Sequence, residues 1–283
     1  LFQPFYGRVP RIMAHWTLDD IDWTVFRRDQ VDPDLLRVAK AAALVEHNGA
    51  DYAVYLNNVF SDDSEIRPEI DAWAREEVQH GAALARWAQM ADPAWDFAAA
   101  FERFTDGYKL PLDAARSVRG SRTGELIARC IVETGTSSYY SALADVSREP
   151  VFKQICRRIA ADELRHYKLF YGHLRRYQGA EKLGRWGRVW TGLGRIAESE
   201  DDELAYAYYA ANLWPAEYDR KTSARAYARR AYSVYRRAHV ERGVGMALKA
   251  VGLSPQGWLQ RGLAAFAARA IAMRARVLAR ADA

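Results

Sequence analysis

Cysteine is nearly absent from this 283-residue chain, with Cys130 and Cys156 the only two. So few thiols exclude a disulfide scaffold and suit a reducing compartment. No apolar run reaches the ~18 residues that suggest a membrane span. No signal-peptide pattern is visible, so a cytoplasmic location is expected. Glycine-rich phosphate loops and alternating strand patterns are missing as well, which argues against nucleotide-binding α/β folds. Long single-sign charge runs are scarce, and 27% charged against 50% hydrophobic residues leaves little room for wholesale disorder. The length suffices for one large core or two modest domains.

What remains is helix-forming sequence. Ala, Leu, Arg and Glu dominate, and turn clusters are sparse. Helices are expected over about 34–58, 65–91, 121–147 and 150–178, with Pro33, Pro68, Pro93 and Pro150 near helix starts, where a missing N–H costs little. The longer connection, about 92–120, carries Trp95, Phe97, Phe101 and Phe104 and is expected to hold an extra helix and a crossover. The fold class is therefore all-α: a four-helix bundle over 1–178, followed by a helical extension over 179–283 packed on it. Glycines 184, 187, 192 and 194 punctuate the start of that extension. The acidic run 198–203 precedes a Tyr/Ala-rich helix, and two basic helices follow at about 222–240 and 255–281. Charge is uneven: residues 179–283 hold 18 Lys+Arg against 10 Asp+Glu, and residues 1–178 hold 23 against 26. The basic end suits an anionic carrier protein or lipid head groups; no nucleic acid is expected. Helix 255–281 reads as packing on the bundle or on a partner in a homodimer, with a membrane-surface contact as the rival reading.

Two pentapeptides share a form: EEVQH at 76–80 and DELRH at 162–166. Six histidines and 16 glutamates in 283 residues would give only about 0.3 Glu-x-x-His matches by chance. On a helix, residues i and i+3 share a face, so Glu77 with His80, and Glu163 with His166, can each reach one point. Their neighbours are apolar, and carboxylates facing an apolar interior are costly unless paired or metal-bound. The other two bundle helices each offer one acid within an apolar stretch, Glu46 and Glu133. The order Glu, Glu-x-x-His, Glu, Glu-x-x-His matches a di-metal carboxylate bundle. The expected ligands are Glu46, Glu77, His80, Glu133, Glu163 and His166. Imidazole plus oxygen donors suit iron or manganese, and four carboxylates offset the charge of two divalent ions. Glu76 and Asp162 are expected to accept the free N–H of the histidine on the opposite helix. Cys130 and Cys156 read as packing residues, as do Tyr206, Tyr208 and Tyr209. His47 and His173 read as structural or exposed.

These residues resemble the soluble acyl-acyl carrier protein desaturases. The stretches AWAREEVQHGAAL (72–84) and QICRRIAADELRHYKLFY (154–171) look like that family's two metal motifs, including Trp73, the acid pairs, Gly81 and Ala160-Ala161. Glu133-Thr134-Gly135-Thr136 fits as well. The resemblance covers about 34–178. It implies a ferritin-like fold and two iron ions that activate O2. It also implies an external electron donor such as ferredoxin, an acyl substrate on acyl carrier protein, Thr136 as a proton-delivering catalytic residue, and Trp73 beside the ligands. One departure is His47-Asn48-Gly49 after Glu46, where the plant enzymes have a second Glu and a Pro nearby. Small residues at Gly49, Ala50, Ala53, Thr136 and Ser137 would leave room for an acyl chain. A di-iron hydroxylase, N-oxygenase or aldehyde-deformylating enzyme shares these ligands. Iron storage or peroxide scavenging is the reading from another class.

Overall fold

A computed structural model describes residues 15–198 and 202–280. The described residues are all-helical, a helical bundle without strands. The core consists of α1 (Pro33–His47), α3 (Ile66–Ala91), α5 (Arg122–Val146) and α6 (Pro150–Ala180). Helix α1 packs along α3, α5 along α6, and α3 joins the two pairs through α6. Two starts follow the proline expectation: Pro33 and Pro150 open α1 and α6, behind Asp32 and Glu149 caps that accept backbone N–H groups. Pro68 lies in the first turn of α3, whereas Pro93 sits in the turn before α4 (Phe97–Gly107). Glu149 also accepts the Trp87 indole N–H at 2.7 Å, tying the start of α6 to α3.

Two of the expected helices are each divided in the structure. The helix expected over 34–58 is two helices, α1 and α2 (Gly49–Val59), parted at Asn48. The break brings Gly49 against α3: a Cβ there would lie 2.5 Å from the Glu77 Cβ. Within the helical extension, the glycine-punctuated segment forms α7 (Arg185–Ala197), whose buried Gly192 lies against Val251 and Ile131. The helix expected over 222–240 is likewise two, α9 (Arg220–Ser233) and α10 (Arg237–Ala250). Helix α8 (Asp202–Asn212) carries the Tyr/Ala-rich sequence; residues 199–201 of the acidic run lie outside the described residues. Helix α11 (Trp258–Arg280) ends the description, with Ala281 of the expected 255–281 helix outside it.

The extension lies over one side of the bundle. Helices α8 and α9 pack on α1, α7 and α10 pack on α5, and α11 rests on α9 and α10. Ala207, Tyr208, Ala231 and Val234 share a continuous apolar core with Leu44, Trp87 and Phe104 of the bundle side. Cys130 and Cys156 are buried free thiols in the packed interior.

Candidate metal centre

The six expected ligands converge. Helix α1 supplies Glu46, α3 supplies Glu77 and His80, α5 supplies Glu133, and α6 supplies Glu163 and His166; all six are buried. They form two groups, Glu46–Glu77–His80–Glu163 and Glu77–Glu133–Glu163–His166, each with one donor atom per residue within 4.8 Å of the others. Glu77 and Glu163 belong to both groups, so each would serve both if each group held an ion. The imidazole centroids are 5.8 Å apart. His80 Nδ1 faces Glu163, Glu77 and Glu46 at 3.3, 3.7 and 3.8 Å. His166 Nδ1 faces Glu77, Glu133 and Glu163 at 3.0, 3.7 and 3.8 Å.

Both Nδ1 atoms point inward, and both Nε2 atoms are held from behind. His80 Nε2 is 3.0 Å from Asp162 on α6, and His166 Nε2 is 2.8 Å from Glu76 on α3. Each histidine thus meets the acid of the opposite helix, as the sequence led one to expect. A carboxylate acceptor keeps a proton on Nε2, so Nδ1 is the atom turned toward the centre and the one whose proton an ion would displace. Arg165 reaches both of these acids, bonding Glu76 at 2.6 Å and also Asp162.

Whether a metal fits can be judged from the buried atoms. Among the described residues, His80 Nδ1, His166 Nδ1, Glu133 Oε1 and Glu163 Oε1 have no hydrogen-bond partner although they are shut away from solvent. Unpartnered buried polar atoms are rare and destabilising, and all four belong to the residues of the two groups. The protonation pattern says the same. Burial and the neighbouring Glu77 raise the Glu46 pKa well above the carboxylate range; burial and Glu163 do the same for Glu133. Burial works against ionised Glu77, but its contacts with His166 and His80 hold its pKa down at about 2. Burial also opposes charged His80 and His166, yet the surrounding carboxylates raise both. Without ions, two of the four carboxylates are thus held protonated, and the other two, Glu77 and Glu163, stay ionised against the two histidines. Two divalent ions would supply positive charge in place of those protons, and the donor set of oxygen and imidazole without thiolate would suit iron or manganese.

Thr136 sits one turn after Glu133 and donates to Glu163 Oε2 at 2.7 Å. Trp73 is buried beside the centre, its ring edge-on to His166 at 6.5 Å. His47 is half-buried between Phe97 and Phe101, and His173 is buried against Glu69 and Arg176; neither reaches the centre. Two contacts were not anticipated. Tyr140 donates to Glu46, and its place seven residues after Glu133 was a readable signal, since i and i+7 share a helix face. Trp16 stacks on His80 at 5.9 Å and donates to Asp162 at 2.6 Å. It comes from a segment of short 3-10 turns, where no periodicity marks an inward position.

A cavity of about 600 Å³ reaches the centre at Glu46 and Thr136. Its floor is α1 and α5, including Val45, Ile131 and Gly135, and its roof is built by the extension, including Tyr227 and Val244. The lining is mostly apolar, and the size falls within the roughly 300–1,000 Å³ of small-molecule sites. Of the five small residues expected to make room, only Thr136 lines it. Gly49 is pressed against Glu77, and Ala53 is packed in an apolar core with Leu56 and Trp73. No protein-family model matches the chain, and no curated protein matches it in sequence.

Proposed function

We propose that this protein is an O2-dependent di-iron oxidoreductase of the ferritin-like type that oxidises an acyl chain, most simply by desaturation. The observation that carries this reading is the apolar cavity meeting the two-group centre at Glu46 and Thr136. The resemblance of 72–84 and 154–171 to the acyl-acyl carrier protein desaturases supports it independently. When bound, two irons supply the capacity to reduce O2 and remove hydrogen from an unactivated C–H bond. For desaturation the balance is one alkyl CH2–CH2, one O2, two external electrons and two protons, giving one alkene and two waters. A ferredoxin-like protein is the proposed electron donor.

The chain's own residues perform the supporting steps. Glu77 and Glu163 hold both sites together, and Asp162 and Glu76 fix the imidazoles so that the donors are set before loading. The cavity walls hold the chain against the centre and exclude water, which makes the oxidation effectively unimolecular and protects it from side reactions. Thr136 lies between cavity and ligand, with its hydroxyl proton on Glu163 Oε2. It is the group placed to pass protons to the centre. An iron-storage role would leave the apolar cavity beside Glu46 without a purpose.

Anaerobic loading with ferrous iron, followed by metal analysis, should give two irons per chain. Glu77→Ala should lose both, because Glu77 belongs to both groups. Retention of two irons by that variant defeats the site assignment. Single turnover with a panel of acyl substrates, read by mass spectrometry, then separates the chemistries. Loss of two hydrogens marks a desaturase and gain of one oxygen a hydroxylase. Inertness toward every acyl substrate sinks the acyl reading.

A further inference from the structure

Two helices of the extension carry their large apolar side chains outward. On α7, Trp186, Trp190 and Leu193 follow each other at i, i+4 and i+7, and the two tryptophans are 76% and 70% exposed. On α11, Leu263, Phe266, Met273 and Val277 form a second stripe, with Phe266 71% exposed and Trp258 80% exposed at the helix start. Such spacing puts each set on one helix face, and burying them would ordinarily stabilise the fold. Their charge is as one-sided as their exposure. Segment 185–197 contains Arg185, Arg188 and Arg195, segment 258–280 contains five more arginines, and neither contains an acid or a lysine.

The two helices also frame the cavity mouth. Arg195 and Ile196 of α7, and Phe266 and Ile271 of α11, line the cavity; Ile196 and Phe266 are its exposed side chains. We propose that α7 and α11 seat the protein on an anionic lipid surface, with the mouth against the bilayer, so that the acyl chain enters from lipid. The source of the chain rests on the acyl reading above; the docking itself does not.

Three considerations favour lipid over other occupants. On α11, Arg269, Arg276 and Arg280 are exposed beside the apolar stripe with no acid on the helix, and α7 adds two exposed tryptophans; this is the pattern of helices that lie in the membrane interface. Neither helix is apolar enough to cross a membrane, which fits lying on the surface. A second copy docked by two-fold symmetry would set these arginines against the same arginines, without a carboxylate on either helix to pair with. A hydrated acidic carrier protein would satisfy the arginines but leave three exposed tryptophans and two apolar stripes in water.

The test is flotation of the full chain with phosphatidylcholine vesicles, with and without phosphatidylglycerol. Binding to the anionic vesicles should be at least tenfold tighter and should weaken with salt. Trp186→Ser/Trp190→Ser and Phe266→Ser/Met273→Ser should each weaken it at least tenfold. These positions are solvent-facing, and unchanged circular dichroism and melting check that the variants fold. Arg269→Gln/Arg276→Gln should reduce the preference for anionic over neutral vesicles. Absent binding, equal binding to neutral vesicles, or variants that bind like the parent overturn the proposal. So does a stable dimer that the serine variants dissolve while vesicles stay unbound, or acyl carrier protein captured by the same face without vesicle binding. Docking needs no iron, so a failed flotation with two irons bound leaves the metal centre standing, and the reverse result leaves the docking standing.

Discussion

Gly81 follows His80 and faces α1 where that helix ends. A Cβ at 81 would lie 2.5 Å from the His47 backbone nitrogen and 2.7 Å from its Cα and Cβ. Ordinary contact begins at 3.4 Å, so Gly81→Ala requires α1 and α3 to part by up to 0.9 Å. Two of the colliding atoms are backbone and the third, Cβ, is fixed to them, so no rotation of the side chain relieves the clash, and α8 and α9 support α1 from the extension side. Overpacking of this kind costs about 1–3 kcal/mol, and replacing a mid-helix glycine returns about 1 kcal/mol. With the cost at the upper end, the net loss is about 1–2 kcal/mol, or roughly 2–8 °C in melting temperature for a chain of this size. The displacement carries Glu46, the residue before His47, away from His80. The group containing Glu46 should therefore lose iron while the group containing Glu133 and His166 keeps it. Calorimetry of the metal-free protein and an anaerobic ferrous titration read the two effects. Gly172→Ala is the control: mid-helix in α6, with nothing within 4 Å of its Cβ, it should be neutral or stabilising. Two tightly bound irons and an unchanged melting temperature in Gly81→Ala would refute the reasoning.

Other outcomes follow from the same geometry. Asp162→Asn and Glu76→Gln each leave one imidazole without its charged acceptor and should weaken iron binding about 10–100-fold, measured by chelator competition; an unchanged affinity would show that the rings need no outer anchor. Loading should release protons, because Glu46, Glu133, His80 and His166 all have pKa values raised well above normal and ligands must be deprotonated. Affinity should then rise with pH, and calorimetry in two buffers of different ionisation enthalpy should disagree; equal heats would contradict the assigned protonation. Gly135 lines the cavity, and a Cβ there meets nothing within 4 Å. Gly135→Phe should fill the space beside Thr136 and shift turnover toward shorter acyl chains, with two irons still bound; an unaltered chain-length profile would mean that the cavity is not the acyl site.

The ligand set was legible because a helix converts spacing into direction. Glu and His three apart must share a face, and a lone acid in Ala-Leu-Val or Ile-Val sequence has no reason to be there unless it meets something inside. The same spacing marks the inward faces of all four helices and the two outer carboxylates. It marks nothing where direction is not set by period. Trp16 arrives from irregular turns, and the break at Asn48 reflects the close approach of Gly49 to Glu77 on another helix. Nor did small residues near the ligands reveal the cavity, which lies on the other side of α1 and α5, where the extension roofs it.

By itself, then, the sequence determined an all-α chain with six inward donors in the order a two-ion centre needs, since both follow from local helical geometry. Tertiary structure alone decided which space beside the centre stays open and that the stripes of α7 and α11 face outward. Periodicity shows that a helix has an apolar face; only the packing of the other helices determines whether that face is covered.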